Sequence, residues 1–579
     1  MKIRLAKYRI DGTMKNLLKY KYELNILYKN IVNNGYCKIY TKHKAIIAAN
    51  VKRRRTMAQK YLTIMEVSQK QAFIFASNRL RKNVENSNII AWIMDPEYFE
   101  QTIADSALFT EEKNLVYSGG GHTVLQFDSQ DAARDFTSKI TKAIHDTFAG
   151  VDVFACTIGC EDDDLGKNLE ELTKALERKK SVRKSAFHQG SFGIEKIDSE
   201  TLLPELSAEE LKKDYGEGFA QFEKQIKDSM SYSGYREPDK LEELGGSRDV
   251  SNFIAVVHID GNAMGKRVEN LTEKEGQTDW EAHRKKKRTF SESIDHDFKE
   301  SYKEMVEEIV KNLENGNLGS LDLRKGILPI RRLITAGDDI CFVTEGRIGI
   351  ECANIFIQKL NKKTNAVDHE GYMACAGVAI VHRKYPFYKA YELAEMLCNN
   401  AKKFGANIDK NGLGKNISAI DWHIEFGEIK DTLEEIRSSY QMKDGGRLEL
   451  RLYIVSVSEE LKDKETIRLY KNFRELIRRI QSEETTGDAI SYARSKLKNL
   501  RSVLKGGEEE TYYYMKANHI EQLALESYYD IYQKIDYSRI GTGEGLDGKV
   551  FTETADGVRR SLLFDAIEAV DTYVRLDTE

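Results

Sequence analysis

A chain of 579 residues is too long for one ordinary hydrophobic core, so several structural units are expected. Hydrophobic residues make up 41% and charged residues 31%, which is typical of a soluble globular protein, and no apolar run is long enough to predict a membrane span. The net charge of −4 argues against a protein that coats nucleic acid with its whole surface, although 89 Lys and Arg residues are compatible with a local basic groove.

The cysteines and the first residues bear on the cellular compartment. None of the seven cysteines forms a CxxC pair, and their odd count is typical of reduced thiols. The chain starts with the charged sequence MKIRLAKYRIDG, which does not resemble a secretory signal peptide. We therefore predict a cytoplasmic protein without a membrane partner.

Shifts in composition and periodicity divide the chain into five segments. In chain order they are an N-terminal basic segment (1–55), a first α/β unit (56–165), a helical linker rich in Glu and Lys (166–249), a second α/β unit (250–420) and a mostly helical C-terminal domain (421–579).

Within the two α/β units, periodicity predicts individual elements. A strand is expected over Tyr61–Val67, a helix over Gln71–Val84 and a hairpin over Asn114–Phe127. In the second unit, the apolar run Phe253–Ile259 predicts a strand covered on both faces. The polar, charged stretch Thr272–Lys287 predicts an inserted loop.

The two α/β units read as an internal repeat. The glycine hairpin of the first unit matches the hairpin Ile334–Ile340 of the second, and each is followed by a helix and an apolar strand. In this overlay Gly121 and His122 stand where the second unit has Asp338 and Asp339. One hairpin therefore carries two adjacent carboxylates and the other carries none.

Three aspartates predict a metal site in the second unit. Asp260 ends a buried strand and is followed by Gly261 and, four positions later, by Gly265, so phosphates could approach the backbone there. Asp338 and Asp339 lie at a hairpin between buried strands, where two adjacent charges are costly without a cation. Mg²⁺ prefers such oxygen ligands, whereas an isolated Asp-Asp pair would be ordinary turn chemistry.

A lysine is the third component of this predicted site. Lys402 lies near the end of a helix predicted over Tyr388–Lys403 and could hold a triphosphate as a point charge. Taken alone, the same lysine would be an ordinary surface residue.

Several motifs in register resemble the large-subunit CRISPR polymerase family, the signature subunit of type III Csm/Cmr effector complexes. They are Asp260–Gly265, Gly337-Asp338-Asp339, Ala376–His382 followed by Pro386, Glu66–Gln71, Ser77–Leu80 and Tyr117–Gly121. The resemblance covers roughly residues 56–420 and extends loosely into the helical C-terminal region.

The resemblance implies an α/β (α+β) fold with two ferredoxin-like palm domains of βαββαβ topology, a helical linker and a helical C-terminal domain. The first palm would be degenerate and the second catalytic. The implied activity is synthesis of cyclic or linear oligoadenylate second messengers from ATP in antiviral defence, with guide RNA–protein complex and target RNA as partners.

The resemblance also assigns residues. Metal ligands for Mg²⁺ (or Mn²⁺) and catalytic residues would be Asp260, Asp338 and Asp339. ATP would be bound by Gly261, Asn262, Gly265, Gly337 and Lys402, and a second ATP would face Gly119, Gly120 and Gly121.

The sequence departs from the family in four ways. Ala336 precedes Gly337 where the family commonly has glycine, and Asn262 stands where an acidic residue is frequent. The N-terminal segment has no room for the family's HD nuclease domain, and the missing CxxC pairs remove its usual zinc module. A compact, nuclease-free member is therefore expected.

Two other functions and an RNA contact stay open at this stage. The protein could be a non-catalytic ATP-binding scaffold in an RNA-guided effector complex, or a stand-alone defence nucleotide cyclase. Basic runs at Lys52–Arg55 and Arg284–Arg288, and Tyr512–Tyr514 near Lys516, are either RNA contacts or solvated loops and core tyrosines.

Overall fold

The computed structural model describes most of the chain after residue 59. The described residues are 60–148, 150–160, 164–182, 194, 196, 215–229, 232, 234–246, 252–273, 279–410, 412, 414–427, 430–461, 466–481, 494–520 and 550–577. The predicted basic segment 1–55, with its run Lys52–Arg55, lies outside them, as do residues 183–193 and 197–214 of the predicted linker.

The chain divides into two compact units. One consists of Tyr61–Gly159 and Asp163–Glu579 and contains every element discussed below. In the other unit only Lys60 and Cys160 are described, and the Cys160 amide donates to the Lys60 carbonyl oxygen at 2.9 Å.

The first palm is a four-stranded sheet with the strand order β2-β3-β1-β4. All its neighbouring strands are antiparallel. Its strands are β1 (Tyr61–Ser68), β2 (Leu115–Gly119), β3 (His122–Phe127) and β4 (Asp152–Gly159). The helices of this part are α1 (Lys70–Ile74), α2 (Leu80–Ile93), α3 (Pro96–Ile103), α4 (Glu111–Asn114), α5 (Gln130–Thr147), α6 (Leu165–Val182) and α7 (Glu217–Ser229).

The second palm repeats this order and extends it. Its sheet runs β10-β9-β8-β5-β7-β6, so its four strands from β8 to β6 correspond to β4-β1-β3-β2 of the first palm. The strands are β5 (Phe253–Gly261), β6 (Ile330–Ala336), β7 (Asp339–Glu345), β8 (Ala374–His382), β9 (Ile417–Glu425) and β10 (Tyr453–Val457). The helices are α8 (Met264–Glu273), α9 (Trp280–Glu314), α10 (Gly349–Leu360) and α11 (Phe387–Ile408).

The remaining described elements are mostly helical. They are α12 (Leu433–Ile436), α13 (Tyr470–Gln481), α14 (Arg494–Val503), α15 (Glu508–Ala517), β11 (Phe551–Glu553), β12 (Arg559–Ser561) and α16 (Phe564–Ala569). The predicted mixed α/β fold with two βαββαβ palms is confirmed. The second sheet runs past the predicted boundary at residue 420, because β9 and β10 join it.

Alternate side chains of β5 point to opposite faces of the sheet and pack into two different hydrophobic cores. Val257 and Ile259 face a core shared with α9, α10 and the C-terminal helices. Ile254 and Val256 face the opposite way, into a core that also contains Met65 of the first palm. Burial on both faces accounts for the nearly continuous apolar sequence of β5, and one hydrophobic core joins the two palms.

The prediction of an inserted loop over Thr272–Lys287 is wrong for its described residues. Residues up to Glu273 belong to α8, and α9 begins at Trp280. In the first turns of α9, the buried positions at helical spacing include His283 and Lys287. Because these two residues are polar, the sequence does not show the apolar periodicity that predicts a helix.

The helix predicted over Gln71–Val84 is two helices in the structure. α1 ends at Ile74 and α2 begins at Leu80. Ser77 Oγ accepts a hydrogen bond from the Arg79 amide at 3.0 Å, and such local side-chain bonds compete with the helix. In the described part of the chain, no helix combines the length and the apolar character needed to cross a bilayer.

Candidate active site

The three predicted metal ligands meet where β5 ends and β7 begins. Asp260 lies opposite Asp339 in the antiparallel register of these strands. Asp338 is in the two-residue turn between Ala336 and Asp339, and its carbonyl oxygen accepts a hydrogen bond from the Gly261 amide at 3.2 Å. The fold therefore brings together carboxylates that are far apart in the sequence.

The geometry of the aspartate turn explains one departure from the family pattern. Gly337 has a φ of +65°, a conformation that glycine adopts without strain. Ala336 pairs with Asp339 as the last residue of β6 and is not among the residues with positive φ. Alanine at this position is therefore compatible with the turn.

Burial and mutual repulsion disfavour the charged forms of two of the aspartates. Loss of surrounding water, followed by the negative charge of Asp260, raises the pKa of Asp338 and of Asp339 to about 7. The Asp339 side chain nevertheless keeps 38% of its surface exposed, so a cation can approach it from solvent.

A histidine lies directly behind Asp339. His258 Nδ1 is 3.4 Å from Asp339 Oδ1, and the ring of Tyr391 packs edge-on against the imidazole at 5.5 Å. Neither of these two buried atoms has a hydrogen bond to another described residue. A buried carboxylate oxygen without a hydrogen-bond partner carries charge that the protein does not compensate, so a positive charge close to this carboxylate would stabilise it.

Lys402 reaches the same site from α11. Its Nζ lies 2.5 Å from Asp260 Oδ2 and donates to the Gly261 carbonyl oxygen at 3.1 Å. Burial alone would lower the pKa of this lysine, but the Asp260 carboxylate raises it above its ordinary value. Lys402 thus neutralises one of the three aspartates and is in place to meet a phosphate.

The site fits a divalent cation in its chemistry but does not form a ready-made coordination sphere. Among the residues that the structure describes, no group of three His, Cys, Asp or Glu side chains is arranged to hold a metal ion. The ion pair with Lys402 engages one Asp260 oxygen, which leaves Asp338 and Asp339 as the less compensated pair.

Three further predicted site residues follow Asp260. A Cβ on Gly261 would lie 3.0 Å from the Asp338 Cβ, so glycine allows the aspartate turn to approach β5. The buried Asn262 donates through Nδ2 to the carbonyl oxygens of Ile417 at 2.6 Å and of Gly414 at 3.2 Å. Gly265, in the first turn of α8, has open space where a Cβ would point. Their predicted contacts with ATP stay predictions.

The glycine turn of the first palm lies beside the aspartate turn of the second. Gly119 pairs with His122, and Gly120 and Gly121 form the turn with φ of +59° and +73°. A Cβ on Gly337 would be only 3.9 Å from the Gly120 amide nitrogen. The repeat has therefore placed its two equivalent hairpins next to each other.

The first palm contains charged residues to which the sequence analysis gave no role in the site. Glu66 lies opposite His122 in the register where the second palm has Asp260 opposite Asp339, and Lys180 Nζ is 2.9 Å from Glu66 Oε2. Burial, and then the charge of Lys70, lowers the pKa of His122 to about 4. Lys70 Nζ donates to the Gly120 carbonyl oxygen.

The overlay of the repeats contained a signal for one of these residues. Glu66 lies two residues before the end of β1, much as Asp260 lies one residue before the end of β5, and could have been found from that position. Lys180 lies on α6, which follows β4 as α11 with Lys402 follows β8, but a lysine in a Lys-rich helix gives no signal of its own.

The basic run Arg284–Arg288 is largely occupied by protein contacts. Arg284 donates to the Lys113 and Leu115 carbonyl oxygens at 3.1 and 3.0 Å, and Arg288 pairs with Glu111. Tyr512 is buried and Tyr514 donates to the Lys496 carbonyl oxygen at 2.9 Å, whereas Tyr513 is exposed. The described contacts favour structural roles for both runs.

Comparison with known proteins agrees with this architecture. Residues 253–413 match the family model for Cas10/Cmr2, second palm domain. A crystal structure of a Csm1-Csm4 cassette in complex with cA3 is similar over 91% of this chain and 71% of that chain, with 13% identity and a TM-score of 0.50. The same cassette type in complex with cA4 matches 90% and 71%, with 14% identity and a TM-score of 0.50.

A search among curated proteins found no match. The structural matches, at 13% and 14% identity, establish a shared fold across both palms and the segments around them. Residues 253–413 resemble a Cas10/Cmr2 second palm domain, and the predicted resemblance of the chain to the Cas10-like large-subunit CRISPR polymerase family is thereby confirmed.

Proposed function

We propose that the protein is a magnesium-dependent nucleotidyltransferase that joins ATP molecules into cyclic or linear oligoadenylates. The observation that carries this proposal is the convergence of Asp260, Asp338 and Asp339 beside Lys402, facing the glycine turn of the other palm. The pKa of two of these aspartates, raised to about 7 by burial and repulsion, supports a site that is completed by a cation.

In this proposal each palm receives one nucleotide. The triphosphate of the donor ATP meets Lys402, and Asp260, Asp338 and Asp339 are the residues that would hold a divalent cation beside it. The acceptor ATP faces the turn Gly119–Gly121, where Lys70 and Lys180 supply positive charge. The contact between the two turns supports simultaneous binding at short range.

The reaction needs positioning and charge stabilisation more than protein acid–base chemistry. The 3′-oxygen of the acceptor attacks the α-phosphate of the donor, a new P–O bond forms, and the bond to the β-phosphate breaks to release pyrophosphate, while the hydroxyl proton passes to water. When bound, Mg²⁺ or Mn²⁺ would lower the cost of charge on the attacking and leaving oxygens. Lys402 steadies the departing pyrophosphate.

The assembly in which this happens is proposed from the relatives. The similar crystal structures contain Csm1 together with Csm4 and, in two cases, cA3 or cA4. By analogy, this chain is proposed to be a large subunit of a type III CRISPR effector that responds to target RNA in antiviral defence.

A non-catalytic ATP-binding scaffold is the second candidate. The Lys402–Asp260 ion pair, which occupies one of the proposed metal ligands, favours it. The scaffold would bind ATP without releasing pyrophosphate.

The deciding experiment compares wild type with Asp338→Ala/Asp339→Ala in ATP plus Mg²⁺ or Mn²⁺, with and without partner subunits and RNA. We expect at least a hundredfold loss of product, and loss in wild type when EDTA is added. Asp135→Ala on the exposed face of α5 is the matched control. Equal product from wild type and the double variant would reject catalysis at this site, and ATP binding without any product would favour the scaffold.

A further inference from the structure

The long helix α9 spans both palms. Near its start, Trp280 Nε1 donates to Gln126 Oε1 of β3 at 2.7 Å, and Arg284 Nη1 donates to the Leu115 carbonyl oxygen of β2 at 3.0 Å. In its second half, Phe298 and Tyr302 are fully buried in the core of the second palm. The same rigid helix therefore contacts the first palm with one half and the second palm with the other.

The middle of α9 contacts the two facing turns. Ser291 Oγ donates to the Ser118 carbonyl oxygen at 3.1 Å, just before the glycine turn, and a Cβ on Gly119 would lie 3.3 Å from that hydroxyl. One helical turn later, Asp295 Oδ1 accepts a hydrogen bond from the Gly337 amide at 3.3 Å. Residues four apart share a helix face, so both contacts come from one side of α9.

The orientation of Asp295 is itself supported. Its second oxygen, Oδ2, lies 2.6 Å from Lys299 Nζ, one turn further along α9. The carboxylate is thus held between a lysine of its own helix and the backbone of the aspartate turn.

We propose that Ser291 and Asp295 are positioning residues that hold the glycine turn of the first palm and the aspartate turn of the second in register. This inference rests on the proposed function for its catalytic consequence: nucleotides bound at the two turns are kept within reaction distance. A misplacement of about 1 Å between reacting groups can cost roughly a hundredfold in rate, which gives a weak pair of hydrogen bonds a large effect on turnover.

The variants are Ser291→Ala, Asp295→Ala and the double substitution, with Asp295→Asn as the conservative variant, because its amide oxygen can still accept the Gly337 N–H. Asp297→Asn is the matched control, since Asp297 lies on the same helix but accepts from the Tyr372 hydroxyl at 2.8 Å, within the second palm. Thermal unfolding verifies that each variant is folded.

The first readout is amide hydrogen exchange in peptides covering residues 117–123 and 334–340, and it needs no catalysis. We expect faster exchange of 334–340 in Asp295→Ala and of both peptides in the double variant, with Asp295→Asn and Asp297→Asn close to wild type. Unchanged exchange in both alanine variants would overturn the proposal.

The second readout is steady-state synthesis from ATP. We expect kcat to fall by about tenfold or more in the double variant with KM within about threefold, and Asp295→Asn to recover most of the loss. A raised KM at unchanged kcat, or faster exchange with unchanged kcat, would overturn the positioning role. If wild type makes no product, the proposed function fails, and the exchange experiment alone decides whether α9 holds the two turns.

Discussion

Single residues of the second palm set its electrostatic character. Asp338 and Asp339 are recessed, repel Asp260 and each other, and have pKa values of about 7. Lys402 is already within 2.5 Å of Asp260, so its charge compensates that residue first. The remaining negative charge is a cost to the folded protein that either protons or a cation can remove.

Because of this cost, we predict that the stability of the protein depends on pH and that Asp339→Asn makes this dependence weaker. Because the folded pKa of about 7 is above the ordinary value of 3.8, the stability contributed by protonated Asp339 is complete below pH 3.8 and is lost as the pH rises through 7. At pH 8 without metal, we expect Asp339→Asn to be more stable than wild type by on the order of 1 kcal/mol, discounted for the exposed part of the side chain.

The measurement is thermal or urea unfolding of both proteins between pH 5 and 8, with EDTA or with Mg²⁺. Mg²⁺ should raise the Tm of wild type at pH 8 and should raise that of Asp339→Asn less. Asp135→Asn, on the surface of α5, is the control. If the stability of wild type and of Asp339→Asn changed with pH in the same way, ionisation of this carboxylate would not destabilise the folded protein.

At the scale of elements, the two hairpins depend on a few backbone conformations. In the aspartate turn the positive φ belongs to Gly337, and Ala336 is an ordinary strand residue. Gly337→Ala should therefore destabilise the protein by about 1–2 kcal/mol, whereas Ala336→Gly should cost less than about 1 kcal/mol. Urea unfolding of the two variants checks this order, and the reverse order would contradict the turn geometry.

Sequence predicted those elements whose signal is local. Apolar runs bounded by turn residues are present in β1, in β5 and in the two glycine-containing hairpins. Because Asp260 and Asp339 each lie at one end of such an apolar run, their approach could be predicted, and the structure pairs them. The first turns of α9 were not predicted, because polar residues, His283 and Lys287, occupy buried positions where apolar residues would have shown a helical periodicity. The approach of Gly120 to Gly337 is a tertiary contact, and no spacing in the sequence encodes it.

At the scale of the whole molecule, β9 connects the candidate site to the C-terminal part. The Asn262 side chain holds the Ile417 carbonyl oxygen at the start of β9. Further along, Asp421 pairs with Arg437 at 2.6 Å, and the Trp422 carbonyl oxygen accepts from Arg451 Nη1 at 2.9 Å. β9 therefore contacts Asn262, which lies beside the aspartate site, at its first residue and a buried ionic network at its middle residues.

Arg451 is the centre of that network and carries the last prediction. Its side chain is fully buried, pairs with Asp565 at 2.9 Å and with Glu568, and lies over the Trp422 ring at 5.1 Å. Arg451→Met would leave two buried carboxylates without their cation, and breaking a buried pair from one side costs about 3–5 kcal/mol. We expect a loss of this size in urea unfolding at pH 8.

The control is Arg478→Met, because Arg478 is 48% exposed and forms an ion pair with Glu475, a type of contact worth about 1 kcal/mol or less. The loss in Arg451→Met should shrink at low pH, where Asp565, whose pKa burial raises, takes up a proton. Equal, small losses in both variants would mean that β9 and α16 are joined by apolar packing alone. A large loss of unfolding free energy in Arg451→Met alone would show that the buried ion pairs join the C-terminal part to β9. β9 is also the strand that accepts the hydrogen bond from Asn262, just after the end of β5.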